Sequence, residues 1–100
     1  MHDMFVLYNQ PEYPDTFDLH YASTHVPLVR QLPLLQDFTW GKVSKEEPES
    51  YYLVARLTYD SQEDAEASMA SDAGQATVDD LANFAQAGAT VLNVPRTGIQ

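Results

Sequence analysis

The stretch Phe17-Asp-Leu-His-Tyr-Ala-Ser-Thr-His-Val-Pro-Leu-Val-Arg-Gln-Leu-Pro33 predicts a helix that carries a histidine on its apolar face. At about 100° per residue, the apolar side chains form one arc of this helix, and His25 falls near the middle of the arc. The members of the arc are Phe17, Leu28, Tyr21, Val29 and Ala22. We therefore expect His25 to point inward, where an imidazole without a hydrogen-bond partner would cost about 1–3 kcal/mol.

The ends of this helix are marked by prolines and an acid. Pro14-Asp15 predicts the start, with Asp15 as the N-cap residue. Pro27 lacks the N–H that would bond to the carbonyl of Ser23, so the helix should bend or loosen one turn after His25. Pro33 then ends it.

Strand patterns lie on both sides of this helix. Apolar runs or alternating patterns that are typical of strands cover residues 4–8, 36–43, 51–59 and 89–94. We expect the first strand to be central in a sheet. The charged segment 44–50 predicts a turn between the two middle strands, and residues 96–100 predict a frayed tail.

A second helical region follows the third strand. Ser61 and Asp64 have the spacing of a capping box, and Ser71-Asp72 predicts the start of another helix that runs towards Leu81 and Phe84. The order of elements is strand, helix, strand, strand, helix, strand. This order predicts one α+β domain over residues 1–100, with the ferredoxin-like split βαβ fold: a four-stranded antiparallel sheet and helices on one face.

The other face of that sheet needs a cover. Helices shield only one side, yet the strands carry apolar or aromatic residues on both sides. We therefore predict a homodimer that packs sheet to sheet. Arg56 lies on the outer strand face and would then need an acidic or carbonyl partner from the second subunit.

Composition excludes several classes of partner. The chain has 15 acidic and 5 basic residues and a net charge of −10, which repels phosphate backbones and anionic membrane surfaces. We expect no nucleic-acid binding and no membrane association, because no segment approaches the roughly 20 apolar residues of a membrane span. The chain has no cysteine, which excludes disulfides and thiolate metal sites and fits a cytoplasmic location.

Three motifs resemble those of the EthD family, which is named for ethyl tert-butyl ether degradation. They are Val6-Leu-Tyr-Asn-Gln-Pro11, Phe17-Asp-x-x-Tyr-x-x-x-His-x-Pro-Leu-Val-Arg30 and Asp80-Leu-Ala-Asn-Phe84. The resemblance implies a dimeric α+β barrel with an apolar pocket between the sheet and the helices of each subunit. Barrels of this superfamily include cofactor-free monooxygenases, lactone isomerases, polyketide cyclases, decarboxylases and haem enzymes, so the fold does not choose the reaction.

The first functional hypothesis is acid–base catalysis by His25 on a small apolar or phenolic ligand, without a cofactor. An imidazole exchanges protons near neutral pH, and an apolar site favours its neutral, basic form. Tyr21 lies one turn earlier on the same side and could orient the imidazole or a substrate oxygen. Asn9 could supply an amide donor, and Phe38 and Trp40 could hold the ligand. The alternative for His25 is a core histidine with a satisfied hydrogen bond.

Two other functional classes stay open at this stage. A carrier that binds an apolar metabolite for a partner oxygenase would need the pocket but no chemistry. A haem or metal site is disfavoured, because His20 and His25 are about 140° apart on an α-helix and no carboxylate is expected near them. His2 is expected in a mobile terminus. We therefore predict neither a metal nor another cofactor.

Overall fold

A computed structural model describes residues 1–44 and 51–97 of the 100-residue chain. The strands and helices alternate in the predicted order, and most of the predicted turn at 44–50 lies outside the described residues. The elements are β1 (His2–Tyr8), α1 (Pro14–His20), a π-helical turn (Tyr21–His25), α2 (Val26–Val29), β2 (Asp37–Lys42), β3 (Leu53–Tyr59), α3 (Gln62–Ala70), α4 (Asp72–Phe84) and β4 (Ala89–Pro95).

The four strands form one antiparallel sheet in the order β2-β3-β1-β4. β1 is therefore central, and the ferredoxin-like prediction is confirmed. The register places Met4 opposite Leu57 of β3 and Asn93 of β4. Alternate residues of the strands consequently share the face on which the helices pack.

The core lies between that face and the helices. Buried side chains of β1 and β3 pack against the aromatic side chains of the helical layer. The main members are Met4, Tyr8, Leu53, Ala55, Leu57, Tyr59, Phe17, Tyr21 and Phe84. On the opposite face, Phe5, Leu7, Val54 and Leu92 are covered by no element in the described part of the chain. Among the described residues, no helix is long and apolar enough to cross a membrane.

The first helical region differs from the prediction at its start and in its middle. Tyr13, not Asp15, occupies the N-cap position, and Pro14 is the first helical residue. The helix loosens as Pro27 predicted, but the irregular turn includes His25, since the Val26 N–H bonds to the carbonyl of Tyr21 five residues back. Pro27 has no N–H for Ser23 and its ring crowds that carbonyl, so a wider turn relieves the conflict.

His2 and Arg96 are better anchored than predicted, while residues 98–100 of the predicted frayed tail lie outside the described residues. His2 was expected to be mobile, but it is buried in β1 and its Nε2 lies 3.0 Å from Oδ1 of Asn93. Arg96 was placed in a frayed tail, yet it donates to both carboxylate oxygens of buried Asp3 at 2.8 Å. The Arg96 guanidinium holds the pKa of Asp3 well below its usual range. A bidentate ion pair therefore ties the end of β4 to β1.

Arg56 also finds its partner within its own subunit. Its Nη2 donates to Oδ2 of Asp37 at 3.2 Å, so the acid opposite it comes from β2. The two residues share the outer face of the sheet. Nε of Arg56 is buried without a hydrogen-bond partner among the described residues, so a further partner from a second subunit stays a prediction.

The sharp corner between α3 and α4 depends on Gly74. Ser71 caps α4 by accepting a hydrogen bond from the Gly74 N–H at 3.1 Å. A Cβ built on Gly74 would lie 2.3 Å from the carbonyl oxygen of Ser68 and 2.4 Å from that of Met69. Only glycine allows the two helices to approach this closely, and the corner places Met69 and Thr77 over the sheet.

We predict that Gly74→Ala lowers the free energy of unfolding by about 1–3 kcal/mol, because backbone atoms must move to admit the methyl group. Gly41→Ala is the matched control, since a Cβ there would meet no atom of the described residues within 4 Å. Urea unfolding followed by circular dichroism measures both. Equal stability of the two variants would contradict this account of the corner.

Candidate active site

His25 is a buried residue with a defined partner on each side of its ring. Only 3% of its surface is exposed. Its Nδ1 lies 2.9 Å from Oδ2 of Asp80 on α4, and its Nε2 lies 3.4 Å from the hydroxyl oxygen of Tyr8 on β1. The prediction that His25 points inward is confirmed.

These partners fix which ring nitrogen carries the proton. A carboxylate only accepts hydrogen bonds, so Nδ1 of His25 must donate to Asp80. Burial lowers the pKa of His25, and the hydrogen bond and charge of Asp80 oppose but do not cancel this effect. His25 is therefore neutral at pH 7 with its proton on Nδ1, and the lone pair of Nε2 accepts a hydrogen bond from the Tyr8 hydroxyl at 3.4 Å.

Asp80 is the centre of a larger hydrogen-bond cluster. Its Oδ1 accepts from Nε2 of His20 at 2.8 Å and from the side-chain amide of Asn83 at 3.0 Å. Burial of Asp80 would raise its pKa, but the hydrogen bonds from Asn83, His20 and His25 together hold the pKa below its ordinary value. Asp80 is consequently an anion at neutral pH, with both oxygens engaged.

The close carboxylate overturns one sequence-based expectation. We expected no acid near the two histidines and placed His20 and His25 on different sides of an α-helix. The π-helical turn between them adds one residue to the hydrogen-bonded turn and brings both side chains to Asp80. Among residues 1–44 and 51–97, however, no group of three or more histidine, cysteine or acidic side chains is arranged to hold a metal ion.

A cavity of about 70 Å³ lies beside His25, between the sheet and the helices. Its lining is mostly aliphatic, and it also includes Tyr8, Tyr21, His25 and Thr77, which carry polar groups. The aliphatic and aromatic lining consists of Met4, Val6, Val29, Phe38, Ala55, Leu57, Met69, Val78, Leu81 and Val91. Val78 and Val91 are 47% and 49% exposed, so the cavity opens between α4 and β4.

Tyr21 brings a second polar group to this cavity. Its hydroxyl is buried and has no hydrogen-bond partner among the described residues. Its ring centre lies 5.6 Å from that of His25 and 5.7 Å from that of Tyr8. Burial raises the pKa of both tyrosines, so each hydroxyl keeps its proton at neutral pH. The Tyr8 hydroxyl donates its hydrogen bond to Nε2 of His25, whereas the Tyr21 hydroxyl can donate a hydrogen bond to an oxygen in the cavity.

The other predicted site residues divide into two groups. Phe38 lines the cavity, as the hypothesis requires. Trp40 packs edge-on against Tyr21 with ring centres 5.0 Å apart and is 43% exposed, so it supports the wall from outside. Asn9 does not join the cavity, and its amide donates to the carbonyl of Ala87 at 2.9 Å.

Three residues of the site were missed in the sequence: Tyr8, His20 and Asp80. Asp80 did carry a signal, because Thr77, Asp80 and Phe84 have the spacing of one helix face and all three are buried. An acid on an apolar helix face is the natural partner of a buried histidine. His20 gave no such signal, since only the π-helical turn places it beside Asp80.

Comparison with known proteins places the chain in a family. The model of the EthD domain matches residues 9–88. The chain belongs to the EthD family. An uncharacterised 11.0 kDa protein in the thcB-thcC intergenic region of Rhodococcus erythropolis is 42% identical over 94 residues, which cover 92% of this chain and 91% of that protein.

Solved structures agree with this assignment. An EthD family protein from Bacillus halodurans C-125 superimposes with a TM-score of 0.90 at 32% identity, covering 97% of this chain and 99% of that one. A dimeric ferredoxin-like protein of unknown function from Thermobifida fusca YX gives a TM-score of 0.74 at 13% identity, covering 93% and 88% of the two chains. The second likeness supports the fold alone.

The lowered pKa of His25 predicts how the stability of this EthD protein depends on pH. The unfolded chain binds a proton near the ordinary pKa of 6.5, which the folded chain excludes from His25. The free energy of unfolding should therefore fall as the pH decreases below about 6.5. His25→Asn keeps an amide donor for Asp80 but does not titrate.

Urea unfolding at several pH values between 8 and 5 measures this effect. The curve for the wild type should fall more steeply towards low pH than the curve for His25→Asn. Parallel curves would mean that His25 is protonated equally in the folded and unfolded chains.

Proposed function

We propose that this EthD-family protein catalyses proton transfer, without a cofactor, on a small apolar substrate that carries an enolisable carbonyl or a phenol. The observation that carries the proposal is the orientation of His25. Its Nδ1–H is engaged by Asp80, so the lone pair of Nε2 faces Tyr8, whose hydroxyl donates one long hydrogen bond of 3.4 Å to it, and both residues line the cavity. A neutral imidazole held in this way is a general base.

The proposed step needs a base and a hydrogen-bond donor. Nε2 of His25 takes a proton from the carbon beside the carbonyl, the electron pair of that C–H bond forms a C=C bond, and the π pair of the carbonyl moves onto its oxygen. The buried hydroxyl of Tyr21 donates a hydrogen bond to this oxygen as its negative charge develops. Return of the proton from Nε2 to the same or another carbon then completes an exchange or an isomerisation.

The apolar wall of the cavity favours proton transfer on an apolar substrate over the binding of a strongly polar ligand. The aliphatic wall offers few hydrogen bonds to water, and its low polarity strengthens the interaction of the Tyr21 hydroxyl with a developing oxyanion. Among the described residues, this wall has no charged side chain for an ionic substrate, and Asp80 is taken up by its three donors. The substrate is therefore mostly hydrocarbon with one polar group.

Deuterium exchange tests this proposal without knowledge of the product. The purified protein is incubated in D₂O with a panel of small enolisable ketones, lactones and β-keto acids, and loss of the α-proton signals is followed by ¹H NMR. We expect accelerated exchange for at least one compound. His25→Asn should reduce that rate by about 100-fold or more, because general base catalysis contributes about 10² to 10⁴.

Tyr21→Phe and Thr24→Ala complete the set of variants. Loss of the Tyr21 hydroxyl should also slow exchange, whereas Thr24 is exposed beside His25 and its replacement should leave the rate unchanged. Full exchange activity in His25→Asn would contradict the role of the imidazole.

A carrier is the second candidate function, because an aliphatic cavity can hold an apolar metabolite without reacting with it. The same panel separates the two functions. Saturable binding, observed as shifts of protein signals in ¹H–¹⁵N spectra, with no exchange or product for any compound would favour the carrier and contradict catalysis.

We also propose that two copies pack through the outer face of the sheet. Phe5, Leu7, Val54, Leu92 and Val94 share that face, and Leu92 and Val94 are 47% and 39% exposed. An exposed apolar patch on a sheet face is typical of a protein interface. The dimeric T. fusca protein of the same fold supports this assignment.

The dimer predicts a specific effect of charge on this face. Leu92→Glu should convert a dimer into a monomer, because the interface would bury an unpaired carboxylate from each subunit. Leu19→Glu is the matched control on α1, where the leucine is 71% exposed. Sedimentation velocity measures the masses, and a monomeric wild type or a dimeric Leu92→Glu variant would contradict the assignment.

A further inference from the structure

His20 is the member of the Asp80 cluster to which the proposed reaction gives no role. Its Nε2 lies 2.8 Å from Oδ1 of Asp80, and its ring stacks on Phe84 with centres 5.1 Å apart. About a quarter of the His20 side chain is exposed, whereas His25 and Asp80 are buried. His20 therefore lies on the solvent side of the carboxylate and His25 on the cavity side.

The two oxygens of the Asp80 carboxylate have different hydrogen-bond partners. Oδ1 accepts from His20 and Asn83, while Oδ2 accepts from His25 at 2.9 Å. A carboxylate with a free oxygen can rotate about its terminal torsion, which has a broad energy minimum. Donors on Oδ1 remove that freedom and leave Oδ2 aimed at Nδ1 of His25.

We propose that His20 is a positioning residue that fixes Asp80 and thereby the proton of His25 on Nδ1. The inference rests on the proposed function for its catalytic consequence, but the hydrogen-bond relation holds whether or not a reaction occurs. His20 touches neither the cavity nor a substrate, since it is absent from the cavity wall. His20 therefore affects the proposed proton transfer through its hydrogen bond to Asp80 and the hydrogen bond between Asp80 and His25.

The alternative role of His20 is packing on Phe84, and two substitutions separate the roles. His20→Phe keeps an aromatic ring on Phe84 but removes the donor. His20→Gln removes the ring but places an amide donor at a similar reach to Asp80. If His20 acts by positioning Asp80, His20→Gln should give the same His25 Nδ1–H resonance and exchange rate as the wild type, and His20→Phe should not.

The first readout is the ¹H resonance of the His25 Nδ1–H, which burial should protect from exchange with water. The resonance is assigned by its loss in His25→Asn. We expect the resonance to be present in the wild type and in His20→Gln, and to be shifted or broadened in His20→Phe. An unchanged resonance in His20→Phe would overturn the proposal.

The second readout is the deuterium exchange rate with a compound from the panel. We expect a decrease of about 10-fold in His20→Phe, with unchanged binding of the compound, and a rate near that of the wild type in His20→Gln. If His20→Phe does not fold, His20→Ala gives the same comparison without added volume. If the wild type exchanges no compound, the proposed function fails, while the resonance still decides the role of His20.

Discussion

The structure depends on one buried carboxylate that three side chains satisfy. A charge placed in a protein interior is costly unless hydrogen bonds replace its water shell. Asp80 receives such bonds from His20, His25 and Asn83 at 2.8–3.0 Å. The cluster links the π-helical turn, which carries His25, to α4, which carries Asp80. It also holds the proton of His25 on Nδ1 and leaves Nε2 as an acceptor beside Tyr8, so a single constraint sets both the packing of the helices and the orientation of the imidazole.

The π-helical turn is the local feature that makes this cluster possible. In a regular α-helix His20 and His25 would diverge and could not share an acceptor. Pro27 cannot donate to Ser23, and the widened turn that results carries His25 at its end. Irregular turns of this kind often occur at functional sites. In this EthD protein Pro27 determines the backbone conformation of the turn. That conformation brings the side chains of His20 and His25 to the same side of the helix.

The sequence predicted the fold well because its strand and helix signals are strong and agree with one another. The alternation from Leu53 to Tyr59 and the cap at Ser61 appear in the structure as expected. The inward direction of His25 also followed from periodicity. The partners of His25 did not, because they come from β1 and α4 and depend on tertiary contacts. The anchoring of Arg96 on Asp3 was missed for the same reason, since the two residues meet only across the sheet.

Asp80 accepts from Nδ1 of His25, and we infer that this bond holds the imidazole proton on Nδ1 and leaves Nε2 unprotonated. The most direct measurement is a long-range ¹H–¹⁵N spectrum of the wild type, with ¹⁵N-labelled histidine, at pH 7. We predict a protonated Nδ1 and an unprotonated Nε2 for His25. A proton on Nε2 alone, or on both nitrogens at this pH, would contradict the account.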